Sequence, residues 1–198
     1  MFKINLVLYK CIILLLIFFL QTKILLAENL IVNCGGDFHS FLKKIGKFAI
    51  TNQGLDKNDV MLVLKKSKRL KKVLSLDRKQ STFRLSFTDF SKKAINSYRL
   101  KNGKKNIEKY NKLFLKAKSK YGVPAEVITA FWAMETDFSA VQGDIHTLSA
   151  LATLAHDCRR PEMFQPEYIA AIHLFSKGLI NLETTGAWAG EIGQVQML

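Results

Sequence analysis

Tyr121-Gly122-Val123-Pro124-Ala125-Glu126-Val127-Ile128-Thr129-Ala130-Phe131-Trp132-Ala133-Met134-Glu135-Thr136-Asp137-Phe138 sets out one helix and one conspicuous carboxylate. Gly122 closes the helix before it. Pro124 suits the first turn of a new helix, where its missing N–H would have had no partner. Val127, Ile128, Phe131 and Trp132 recur at helical spacing and give this helix an apolar face. Glu135 follows Ile128 by seven residues, Phe131 by four and Trp132 by three, offsets that place its carboxylate on the same face. A carboxyl among apolar and aromatic neighbours is expected to be desolvated, which raises its pKa. Such a glutamic acid keeps its proton near neutral pH and can serve as a general acid. The plain alternative is a structural Glu bonded to nearby backbone at a helix end.

The chain reads as helical in both directions from there. Asn106 to Tyr121 is amphipathic, with Tyr110, Leu113, Phe114, Ala117 and Tyr121 on one stripe. Near the start, Phe38, Phe41, Leu42, Ile45, Phe48 and Ala49 predict a helix from Asp37 to about Gln53. Gly54 ends it, and Asp56 caps the next, which carries Val60, Val63 and Leu64. Leu76 to Ser91 has few signals and reads as loop with short helices. Downstream, Thr147 to His156 holds Leu148, Leu151, Ala152 and Ala155. A further helix is expected from near Pro166 through Ile169, Ile172 and Phe175 to Gly178, a natural stop. No strand, repeat or low-complexity tract stands out.

The formal net charge of +14 is unevenly spread. Residues 43–120 carry a net +19 and residues 121–198 a net −6, with +1 before them, so the two halves are expected to do different jobs. A lysine-rich surface attracts nucleic acid, but no helix-turn-helix, zinc or RNA-recognition signature accompanies it. Contact with an anionic wall polymer or membrane surface is one reading of these lysines. A solvated face of compositional origin is the other.

The N-terminus reads as a targeting segment and argues against a nucleic-acid partner. Lys3 and Lys10 precede an unbroken apolar run from Cys11 to Leu20. That run is short for a spanning helix, which needs about 20 residues, but it suits a signal peptide cleaved after Ala27. An uncleaved anchor, extended by Ile24-Leu25-Leu26, is the alternative. The expected destination is the periplasm, with membrane association if the signal stays. Removal of Cys11 with the signal leaves Cys34 and Cys158 in an oxidising compartment, where disulfides persist. Two free buried thiols, or a lipid on Cys34, are the other readings.

Ordinary glycosidases use two carboxylates. Asp137 points to another side of the helix and Asp144 falls in a loop, so Glu135 has no clear partner. Working alone, it needs a substrate that supplies the second group, as the acetamido oxygen of an N-acetyl sugar can. The histidines at 39, 146, 156 and 173 have no metal-ligand spacing, and no nucleophile elbow is present. In Gly186-Ala187-Trp188-Ala189-Gly190-Glu191-Ile192-Gly193-Gln194-Val195-Gln196-Met197-Leu198, glycines and small residues allow close backbone approach. Gln194 and Gln196 can donate to and accept from sugar hydroxyls and acetamides. Trp188 can stack on a sugar ring or simply pack.

These residues resemble the MltB-type lytic murein transglycosylases. Tyr121 to Pro124 and Ala133 to Phe138 look like the catalytic-helix signature, and Leu148 to Leu154 like the helix that follows it. Arg159-Arg160 looks like a paired arginine, and Gly186 to Leu198 like the glycine- and glutamine-rich motif. Leu76 to Gln80 and Cys34 to Phe38 look like upstream landmarks. The resemblance implies a mainly α, lysozyme-like domain acting on peptidoglycan glycan strands, a monomer needing no metal or cofactor. It implies that Glu135 is the single general acid and then the base. Glu135 would protonate the oxygen between N-acetylmuramic acid and N-acetylglucosamine. The acetamido group would assist, and the muramic C6 hydroxyl would close a 1,6-anhydro ring. It further implies Gln196 as a substrate contact and a Cys34–Cys158 disulfide, and Gln194, Trp188 and Arg160 are expected to contact the substrate as well. Ala187 stands where the family often has serine, and Glu191-Ile192 replaces the commoner Ala-Met.

The expected organisation is a signal peptide (1–27), a basic helical region (28–120) and a catalytic lysozyme-like core (121–198). In the family the last motif continues, whereas here it stops at Leu198. The core is therefore expected to be incomplete at its C-terminal end, poorly stable and nearly inactive as written. The apolar faces at 124–138 and 166–177 are expected to lack partners. A lysozyme-type hydrolase and a non-catalytic wall-binding relative are the competing readings.

Overall fold

The structure is a computed structural model that describes residues 30–79 and 85–196. The expected signal peptide, Gln80 of the Leu76–Gln80 landmark, and Met197 and Leu198 lie outside the described residues. No helix among the described residues is long and apolar enough to cross a membrane. The fold is mainly helical: α1 (Phe38–Thr51), α2 (Lys57–Lys66), α3 (Lys71–Arg78), α4 (Phe87–Ala94), α5 (Ser97–Lys109), α6 (Asn111–Tyr121), α7 (Ala125–Thr136), α8 (Thr147–His156) and α9 (Pro161–Ser176). Two short strands, β1 (Ile145–His146) and β2 (Thr185–Gly186), pair antiparallel, Ile145 opposite Gly186 and His146 opposite Thr185.

The core is organised around α8, all ten of whose residues are buried. On its sides lie Phe41, Leu42, Ile45 and Ala49 of α1, Val60 and Val63 of α2, and Val73 of α3. Phe164, Tyr168, Ile169 and Ile172 of α9 complete the cluster. Each large aliphatic side chain so buried contributes about 1.5–3 kcal/mol. A helix buried on every side must also satisfy its polar groups. Ser149 Oγ accepts from Lys68 N (2.9 Å), and Thr153 Oγ1 accepts from Leu70 N (2.9 Å) and donates to Ser149 O (2.6 Å). Gln165 of α9 reads the backbone of Val32, accepting from its N–H (3.0 Å) and donating to its carbonyl (2.8 Å).

Two further ties close this hub. Cys34 and Cys158 form a disulfide across 124 residues of sequence, with Cα atoms 5.3 Å apart. Asp77 of α3, 1% exposed, is gripped by two guanidinium groups, Arg159 (2.6 Å) and Arg160. Burial alone would raise its carboxyl, but the hydrogen bonds and charges of the two arginines outweigh it and hold it below the usual carboxylate range.

Several elements depart from expectation. The last long helix starts at Pro161 rather than near Pro166. Both prolines fit a first turn, but Pro161 takes that place, and Pro166 sits inside the helix, where it donates no hydrogen bond. The expected helix from Asn106 to Tyr121 is split at Tyr110, which leaves helical geometry between α5 and α6. Leu76 to Ser91, read as loop with short helices, takes in the end of α3 and the start of α4, both short, the latter capped by Ser86, whose Oγ accepts from Asp89 N (3.2 Å). The apolar face at 166–177 does not lack partners: Tyr168, Ile169 and Ile172 are buried in the hub.

Candidate functional site

α7 carries Glu135 one residue before its end. Gly122, in the left-handed conformation (φ 72°), stops α6, and Pro124 then opens α7. The residues buried on α7 are Thr129, Ala133 and Thr136. They form a different stripe from Val127, Ile128, Phe131 and Trp132. Phe131 is 57% exposed and Val127 44%. Glu135 itself is exposed, so the expected burial of its carboxylate among apolar neighbours is absent. A helix apolar nearly all round offers two faces to a core, and here the small-residue face is the one packed. Glu135 lines a depression of about 640 Å³ with Leu85, Phe90, Lys93, Ala94, Arg99 and Met134.

The backbone just past Glu135 is strained. Asp137, Phe138 and Ser139 have φ of 46°, 59° and 75°, three successive non-glycine residues in the left-handed region. Each such residue costs roughly 1–2 kcal/mol, so the turn persists only because its surroundings hold it. Asp137 Oδ1 accepts from Arg99 Nε at 2.6 Å, a half-buried ion pair. Trp132 Nε1 donates to Ser139 Oγ (3.0 Å), and its ring meets Phe138 edge-on at 5.4 Å. Thr136 Oγ1 accepts from Ser139 N (3.0 Å).

The same Thr136 hydroxyl donates to Gln194 O at 2.6 Å, and so ties the glycine- and glutamine-rich segment to the residue next to Glu135. Gln196 Nε2 donates to Gln142 O (3.2 Å) and Gly193 O (2.9 Å), which docks the segment on the loop after α7. Close approach explains two glycines. A Cβ on Gly143 would meet Gly186 O at 2.0 Å, and one on Gly190 would meet Leu151 of α8 at 2.5 Å.

Of the residues singled out by sequence, Glu135, Gln194 and Gln196 are thus held around one end of α7. Trp188 packs against the hub, and the Arg160 guanidinium is engaged with Asp77 and lies over the Phe164 ring (5.0 Å). Asp137 turns to Arg99, and Asp144, in its loop, reaches Lys72 at 3.8 Å. His146 caps α8 and His156 bonds Gly36 O (3.1 Å), both structural roles. Phe90, Lys93 and Arg99 were not foreseen. The usable signals were the caps, Ser86 with Asp89 after it and Asn96 before α5, which mark two helices in a stretch without clear periodicity.

The membrane-bound lytic murein transglycosylase B of Escherichia coli (strain K12) is 27% identical over 190 residues, covering 86% of this chain and 51% of that protein. The lytic transglycosylase Slt35 of Escherichia coli, in its calcium complex, superposes with a TM-score of 0.71 at 27% identity, covering 85% of this chain and 55% of that one. SltB3 of Pseudomonas aeruginosa, in complex with NAG-NAM-pentapeptide, has a TM-score of 0.73 at 23% identity, over 83% of this chain and 44% of that one, a likeness of fold. The chain therefore spans about half the length of the relatives it matches. Residues 37–198, from the cap of α1 to the glutamine-rich segment, match the family described as the transglycosylase SLT domain, and the chain belongs to that family.

Proposed function

We propose that this chain carries the acid–base half of a lytic transglycosylase acting on peptidoglycan. The observation that carries the reading is the exposed Glu135 carboxylate at the end of α7, lining an open depression, with the glutamine-rich segment tied to its neighbour through Thr136 and Gln194. A glycan laid across this depression would displace water from the carboxyl, the condition under which a glutamic acid retains a proton for the leaving oxygen. Glu135 then donates that proton to the oxygen between N-acetylmuramic acid and N-acetylglucosamine. The substrate acetamido group stabilises the developing cation. Glu135, now a base, takes the proton of the C6 hydroxyl as the 1,6-anhydro ring closes. Gln194 and Gln196 contact the sugar. The Cys34–Cys158 bond supports export to an oxidising compartment, with residues 1–27 as the signal.

The test is to extend the chain by the C-terminal part of a related lytic transglycosylase, incubate the chain, with and without that extension, with purified sacculi, and analyse the released muropeptides by mass spectrometry. Anhydro-muropeptides, one water lighter than hydrolase products, are expected. Glu135→Gln should lower their release by on the order of 10²–10⁴-fold. Reducing muramic ends would identify a hydrolase instead. Binding to sacculi without release would identify a non-catalytic relative. A variant keeping most of the parental rate would remove Glu135 from the role.

A further inference from the structure

A depression of about 890 Å³, larger than the one beside Glu135, runs along the seam between α1 and α2. Phe38, Leu42, Gly46 and Ile50 recur every four residues and form the row of α1 that faces it. The adjacent row carries Lys43 and Lys47. α2 contributes Met61 and Leu62, 54% and 47% exposed, and Lys65. The seam is fixed where the helices meet: a Cβ on Gly46 would stand 2.5 Å from Leu64. From Phe38 to Ile50 the apolar row runs about 18 Å. One leaflet's chains span about 15 Å, half of a bilayer core of about 30 Å. Three lysines rim the groove and no carboxylate lines it. Among the described residues, none of the three is in an ion pair.

We propose that the α1–α2 groove binds an anionic phospholipid, with an acyl chain along the apolar row and the phosphate against Lys43, Lys47 and Lys65. Nothing in this groove depends on the chemistry at Glu135. An exposed apolar patch rimmed by polar residues marks an interaction site. Composition separates a lipid from a protein partner. Protein–protein interfaces are enriched in arginine and depleted in lysine, and this groove has three lysines and no arginine. A lysine stem covers apolar surface while its ammonium stays in water. That division suits the boundary between acyl chains and headgroups, where lysines flank an apolar face. Anionic headgroups attract such cations. The groove is formed in advance by two packed helices, so little ordering opposes binding.

The experiment titrates the full chain with dihexanoyl phosphatidylglycerol below its micelle concentration and follows amide and methionine methyl shifts by NMR. Shifts are read residue by residue, which keeps any binding at the N-terminal apolar run separate. Saturable shifts at Leu42, Ile50, Met61 and Leu62 are expected. The phosphatidylcholine of the same chain length has no net charge and should bind about tenfold more weakly. Glycerol 3-phosphate, with the charge but no chains, should not saturate the groove. Replacing Lys43, Lys47 and Lys65 together by glutamine should remove the difference between the two lipids. Leu62→Asp, at an exposed position of α2, should weaken both by at least about tenfold. Urea midpoints close to the parent's are expected for both variants, since the replaced side chains are exposed. Absence of saturable binding, shifts confined to α5 and α6 or to residues 1–29, or equal affinity of the parent chain for the two lipids would overturn the proposal. So would a dimer in analytical ultracentrifugation that Leu62→Asp dissociates, since a second copy would then cover the groove.

Discussion

The hub around α8 and the arm formed by α4 to α7 are both helical, but they are held by different means. α8 is buried along its whole length, and α9 places seven residues in the interior. α4 buries none of its residues, α5 only Gly103 and α6 only Phe114. The hub is stabilised by area removed from water, one disulfide and one buried carboxylate between two arginines. The arm is held by local bonds, the Arg99–Asp137 pair and the links of Thr136, Trp132 and Ser139. The proposed chemistry sits on the arm, where surface is left open to a ligand. The hub fixes the frame from which the arm projects.

The largest effect that could break this contrast is loss of the disulfide. Replacing Cys34 and Cys158 by serine should cost about 4–5 kcal/mol by the chain-entropy argument for so long a loop, read from urea denaturation without reductant. A much smaller loss would mean that the hub does not depend on this tie. Next comes Asp77. Asp77→Ala leaves two arginines facing an apolar hole, and breaking such a pair costs about 3–5 kcal/mol. Because its folded pKa is lowered, Asp77 contributes stability that is present above its unfolded value of about 3.9 and is lost as pH falls through the folded pKa. Asp77→Asn should therefore flatten the acid limb of the stability profile below about pH 4.

A paired truncation sharpens the comparison directly. Leu154→Ala, in the hub, should cost about 2–5 kcal/mol. Phe131→Ala, on the exposed face of α7, should stay within about 0.5 kcal/mol. Similar losses at both positions would erase the distinction between hub and arm. A small change in stability is also expected for Arg99→Ala, at most on the order of 1 kcal/mol for a partly exposed pair. Its effect on muropeptide release should be larger, up to about 100-fold, because release of the strained turn misplaces Glu135. Arg99→Lys should restore part of the rate. Equal changes in folding and turnover would make the pair a plain structural contact.

The hub could be read from sequence because burial on one side leaves a period. Phe41, Leu42, Ile45 and Ala49 were legible as one face, as were Leu148, Leu151, Ala152 and Ala155, and the helix start near Asp37 and the cap Asp56 fall where expected. The arm was less legible because its helices bury too little to write a period. α4 and α5 are polar and lysine-rich, and α7 is apolar on both faces, so pattern could not say which face packs. The strands were missed because two residues each are too few to alternate. The tie between Thr136 and Gln194 spans 58 residues and ends on a backbone carbonyl, which leaves no mark on side-chain identity.

The disulfide has one more consequence, for how the chain comes apart. Cys34 and Cys158 close a covalent ring that contains α1 through α8. A single backbone cut anywhere inside that ring, including the segment between α3 and α4, opens a gap without releasing either piece. A nicked molecule would run as one band until reductant is added and as two afterwards. Only a cut outside the ring, before Cys34 or from α9 onward, leaves a piece with no covalent tie to the rest.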